Sequence, residues 1–169
     1  MSAIETNNAA TEKETFIKMV ISYWQVVNNR TSDLFNKLSD EELSAETAPG
    51  RNTGVYLLGH LAAVHDAMFP ILGFGEAQYP DLYKVFVDSP DKSGLEKPPI
   101  SYLRECWSKV TSALQQRIDN TSSDDWFARH NAVSAEDFAK EPHRNKLNII
   151  VNRTNHLSTH LGQLIYLSK

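Results

Sequence analysis

His156 and His160 stand four residues apart in the stretch Asn155-His156-Leu157-Ser158-Thr159-His160-Leu161-Gly162-Gln163-Leu164. The surrounding pattern is helical, so both imidazoles project from one face, one turn apart, in a geometry that grips a metal ion. Two ligands make a weak site, and the best candidate for a third is His60, in the apolar stretch Val55 to Leu72. An imidazole in an apolar helix interior costs on the order of a few kcal/mol if left unpaired, so His60 needs a hydrogen-bond partner or a metal. His65 competes for the third place but lies roughly 140° round the same helix, so the two cannot share one ion, and His60 is preferred. His65 and Asp66 are expected on the outer side of that helix, with Asp66 a candidate for a supporting contact to a ligand. Gln163, one turn beyond His160, either orients a ligand or is an ordinary exposed helix glutamine. The bland alternative is that His156 and His160 are half-buried histidines bonded to a carbonyl or to water, because a bare H-x-x-x-H is a weak pattern.

Three neutral imidazoles around an ion leave at least one position for water or substrate, whereas a structural zinc is closed by four protein ligands. Such an ion lowers the pKa of bound water toward ~7 or holds a thiol as thiolate. Imidazole suits zinc, the first choice, and nickel, the second.

These histidines need long helices to carry them. The first is expected from Thr11 to Leu38, with Phe16, Val20, Tyr23, Val27, Leu34 and Leu38 inward and Lys18, Asn28, Asn29 and Lys37 wet. Ser39 with Glu42 three places later is a capping box for a short helix that Pro49 and Gly50 end. The second long helix starts at Asn52 or Thr53 and reaches Leu72, with Gly73 as its stop, and is apolar round most of its circumference. It is therefore the innermost helix. The segment from Gly73 to Pro99, with four prolines, reads as a long loop with a turn of helix at Asp81 to Val87, and loops of that length are more often functional or mobile than incidental. Ile100, Leu103, Trp107, Val110, Leu114 and Ile118 mark a third helix with a narrow seam. After polar connections with helix starts at Ser122 and Ser134, a last helix spans Asn145 to Leu167, with Leu147, Ile150, Thr154, Leu157, Leu161 and Leu164 as its stripe. Four long helices without strand patterns or repeats define an all-α four-helix bundle with a long loop between helices 2 and 3.

The 169 residues, 41% hydrophobic and 22% charged, suit one domain over residues 11–169 after a flexible leader at 1–10. The stretch Met1 to Glu14 is polar and acidic with no basic start and no apolar core, unlike a secretory signal. A net charge of −4 and no cationic run argue against nucleic acid. The stretch Gly54 to Phe74 carries His60, His65, Asp66 and Pro70, which argues against a membrane span. A single cysteine, Cys106, excludes an internal disulfide and fits the cytoplasm, and without a Lys or His near it in sequence it reads as a structural thiol. His130 and His143 fall in polar connections and are expected at the surface, and Trp24, Trp107 and Trp126 are expected as packing anchors. A mostly apolar inner helix in a bundle of this size points to a homodimer.

The segment Gly54-Val55-Tyr56-Leu57-Leu58-Gly59-His60-Leu61, preceded by Ala48-Pro49-Gly50-Arg51 and followed far downstream by His156 through Leu164, resembles the DinB/YfiT-like family of four-helix bundles. The resemblance runs through nearly the whole chain in helix order, and its specific part is these two motifs. It implies a divalent metal held by one histidine of the second helix and two of the last, which fall on His60, His156 and His160. It also implies a metal-dependent hydrolase or a transferase using low-molecular-weight thiols, acting on a small-molecule substrate. A non-catalytic metal-binding or stress-related module and a metal-free bundle are the alternatives. The 73–99 segment is a departure from the family pattern.

Overall fold

A computed structural model describes residues 3–168, with side chains from Thr11 onward. The side chains of the expected leader, 1–10, lie outside the described residues. Four long helical segments make the bundle: α1 (Ala3–Lys37), α3 (Gly54–Asp66) continued by α4 (Met68–Leu72), α6 (Ile100–Asp119) and α8 (Lys146–Leu164). Short helices α2 (Asp40–Ser44), α5 (Asp81–Phe86) and α7 (Ala135–Lys140), with 3-10 turns at Asp125–Phe127 and Ile165–Leu167, occupy the connections. In the bundle α1 packs chiefly on α8 and also on α6, and α3 packs on α6 and α8.

The capping signals act where the sequence places them. Ser39 accepts from the Glu42 amide while Glu42 reaches back to the Ser39 amide, a complete capping box for α2. Thr53 caps α3, Asn145 caps α8, and Gly73 closes α4 in the left-handed conformation at φ 74°. The expected helix from Thr53 to Leu72 is nevertheless interrupted at Ala67. Pro70 has no amide hydrogen to donate to the carbonyl of Asp66, and its ring crowds that carbonyl, so α3 ends there and α4 starts afresh.

Helix α3 is buried on nearly every side, as its composition requires. The stretch Gly54–Leu72 is long and apolar enough to cross a membrane, but 72% of its most apolar window is covered by the rest of the bundle. This leaves no outer side for His65, which was expected there. His65 is fully buried, stacked on Trp24 at 5.0 Å and edge-on to Trp107 at 4.8 Å, with its Nδ1 2.8 Å from the Leu61 carbonyl. Helix α1 buries Val27 as expected, with Leu38 just beyond its end, and half-buries Val20 and Leu34, but its N-terminal half is turned from the expected face. Ile17, Trp24, Thr31 and Phe35 are buried, as is Asn28, whereas Phe16 and Tyr23 are 52% and 58% exposed. Two apolar faces compete in that sequence, and Trp24, which stacks on His65, decides which one enters the core.

The stripes of α6 and α8 are buried as expected, except that Ile100 is half-buried. The three tryptophans are core residues, and Cys106 is buried, its thiol pKa pushed up by that burial. His143 is exposed, but His130 is 6% exposed, and its Nδ1 accepts from the Ala132 amide, so the polar connection around it folds inward.

The 73–99 segment is a strap fastened along α3. Near its start, both carboxylate oxygens of Asp66 accept amides, from Gln78 at 2.8 Å and Tyr79 at 2.7 Å. Near its end, Asp91 accepts the Thr53 amide at 2.7 Å and pairs with Lys97, while the Tyr56 hydroxyl donates to the Ser89 carbonyl. Between these fastenings Phe86 is fully buried against Gly59, where an added Cβ would lie 2.4 Å from the ring. Only glycine lets α5 approach α3 this closely.

Candidate metal centre

His60 lies in the middle of α3, and His156 and His160 lie one turn apart on α8, so the packing of α3 on α8 brings the three together. One ring nitrogen from each lies within 4.8 Å of the others, a group that could hold a metal ion. His156 Nε2 is 3.1 Å from His60 Nε2 and 3.1 Å from His160 Nε2. Metal–nitrogen bonds of about 2.0–2.1 Å with ligand angles between octahedral and tetrahedral separate adjacent nitrogens by about 2.9–3.4 Å, so the spacing of His156 from each of the other two fits.

The outer nitrogens fix which atoms face inward. His60 Nδ1 lies 2.7 Å from the Phe86 carbonyl, at the C-terminal end of α5, where helix carbonyls lack intrahelical donors. His160 Nδ1 lies 2.8 Å from Gln163 Oε1. Since a carbonyl oxygen only accepts, both Nδ1 atoms carry hydrogen and both Nε2 atoms present lone pairs. Both lone pairs face His156 Nε2, and their mutual repulsion is relieved by a hydrogen on that nitrogen or by a cation between the three. His156 Nδ1 is buried without a partner.

Burial is the main reason that all three pKa values are depressed. His156 is lowered to about 4, with the neighbouring His160, His60 and Arg153 adding to the effect of burial. His60 is lowered by burial against the opposing pull of the Phe86 carbonyl, and His160 by burial against its bond to Gln163. The cluster is therefore neutral at pH 7, the state in which imidazole binds metal.

Of the other candidates, Gln163 meets the cluster, its Oε1 2.8 Å from His160 Nδ1. Asp66 does a different job, since both its oxygens hold the strap and neither meets a histidine. His65 does not join the cluster. Sequence reasoning missed the Phe86 carbonyl, for which no sequence signal exists, because every residue carries one. Gln163→Ala should lower metal affinity about 10–100-fold by freeing the ring of His160. Competition titration against a chromophoric chelator measures this, and unchanged affinity would show that the glutamine has no orienting role.

An all-α bundle with three convergent histidines on its second and last long helices defines a class of candidate metal-binding proteins. The sequence model of the DinB superfamily matches residues 23–164, most of the chain and all three histidines. The chain belongs to that superfamily. A search of curated proteins finds no match.

Proposed function

We propose that this protein is a metal-dependent enzyme that holds one divalent ion, zinc before nickel, on His60, His156 and His160 and acts on a small molecule. The observation that carries the reading is the convergence of three neutral Nε2 atoms with two of the opposite nitrogens already fixed by acceptors. A bound ion would acidify a coordinated thiol or water, which suits a low-molecular-weight-thiol S-transferase or a hydrolase. The chain's own part is to keep three imidazoles neutral, aimed inward and short of a fourth protein ligand. A cytoplasmic location, where such thiols stay reduced, is part of the same reading.

Cobalt-substituted protein tests it. Adding 2-mercaptoethanol should produce a sulfur-to-cobalt charge-transfer band if the site accepts thiols, whereas a hydrolase should cleave an activated ester at a rate that rises with pH through about 7. Bound cobalt with neither response would reduce the protein to a binding module.

We also propose a homodimer paired through α1 and α8. In support, Phe16, Met19, Tyr23 and Val26 on α1 and Val151 on α8 are exposed, and a groove of about 300 Å³ runs between these helices. Light scattering should give about twice the 19.1 kDa chain mass, and Tyr23→Glu should shift it toward the monomer. A wild-type protein that stays monomeric across the micromolar range sinks the dimer.

A further inference from the structure

Arg153 has no role so far. It lies on α8 three residues before His156 and seven before His160, within about 60° and 20° of them round the helix. It is half-buried, and its Nε is buried without a hydrogen-bond partner. Among the described residues no carboxylate pairs with it, whereas the other half-buried cations, Lys13, Lys97, Arg104, Arg144 and Lys146, all have acidic partners. The acidic group whose field reaches it is the phenol of Tyr83 on α5. Its own charge in turn acts on His60, His65 and His156. A guanidinium half out of water, uncompensated, beside three neutral imidazoles is a standing cost unless an anion completes it.

We propose that Arg153 is the anion subsite of the histidine centre and that the substrate carries a carboxylate a few bonds from the atom that meets the metal. The inference rests on the metal reading above. The guanidinium fork matches a carboxylate in two parallel hydrogen bonds, and one uncompensated cation balances one monoanion. With Arg153 engaged on its carboxylate, such a molecule would be held at two points, the guanidinium and the metal.

Mercaptoacetate and 2-mercaptoethanol are near-isosteres that differ in this carboxylate, and both can be titrated into cobalt-substituted protein by the charge-transfer band. Arg153→Gln should weaken mercaptoacetate about 10-fold or more while leaving 2-mercaptoethanol and cobalt content unchanged. Arg153→Lys should recover part of the loss, because it restores the charge without the fork. Equal binding of mercaptoacetate to wild type and Arg153→Gln, or an equal loss for both thiols, overturns the subsite while leaving the metal reading intact. Absence of cobalt absorption from the wild type fails the metal reading itself, and the subsite with it.

Discussion

His156→Ala should abolish stoichiometric metal binding: the wild type, reconstituted and dialysed, should retain about one divalent ion per chain, and the variant less than a tenth of that. His156 is the middle of the cluster, 3.1 Å from each of the other two Nε2 atoms, so its loss leaves two imidazoles that no longer share a neighbour. Loss of a mere supporting contact costs 10–100-fold in affinity, and loss of a ligand should cost more than about 100-fold. Elemental analysis gives the stoichiometry and chelator competition the affinity. The control is His65→Phe, which changes a buried histidine outside the cluster and should keep its full complement of metal. Equal metal content in wild type and His156→Ala would remove the proposed function.

The second large effect is on acid stability. His65 is fully buried, and burial, reinforced by the charge of Arg153 and by His156 and His60, drives its pKa down to about 3 against the opposing bond to the Leu61 carbonyl. The unfolded chain takes up this proton near pH 6.5 and the folded chain does not until about pH 3. The stabilisation from keeping His65 neutral is therefore whole above pH 6.5 and drains away as the pH falls toward 3. At pH 4.5 about 3 kcal/mol has gone relative to pH 7. Phenylalanine keeps the ring contacts with Trp24 and Trp107 but takes up no proton. Urea unfolding of metal-free protein at both pH values should show a fall for His65→Phe that is smaller than the wild-type fall by about that amount. Equal falls would refute the assignment.

What the sequence made legible follows from how locally each feature is encoded. The stripes of α6 and α8 and the caps at Ser39, Thr53 and Asn145 depend on residues within a few turns, and spacing alone recovers them. The pairing of His156 with His160 is local in the same way, and its union with His60 needed only that the second and last helices pack together. The turn of α1 was not legible, because Phe16 and Tyr23 make as good an apolar stripe as Ile17 and Trp24. The side that enters the core even includes the polar Asn28 and Thr31, the latter satisfied by its bond to the Val27 carbonyl. His65 was misplaced for a related reason: a helix apolar all round has no dry side to contrast with a wet one. The fastening of the strap was hidden because it joins carboxylates to amides far along the chain, Asp66 to Gln78 and Tyr79, Asp91 to Thr53.

The supports of His60 and His160 differ in how they would withstand mutation. His160 leans on a side chain, and a single base change in the codon for Gln163 can delete its acceptor. His60 leans on a main-chain oxygen that no substitution at position 86 can remove. What protects that oxygen is the bare Cα of Gly59, which lets Phe86 seat α5 against α3. The vulnerability of this histidine is thus displaced to its neighbour in the chain, where any side chain at all would push the strap outward and draw the carbonyl away. A tolerance scan of the gene would find position 59 nearly as intolerant as the histidine beside it, with no chemistry of its own to explain why.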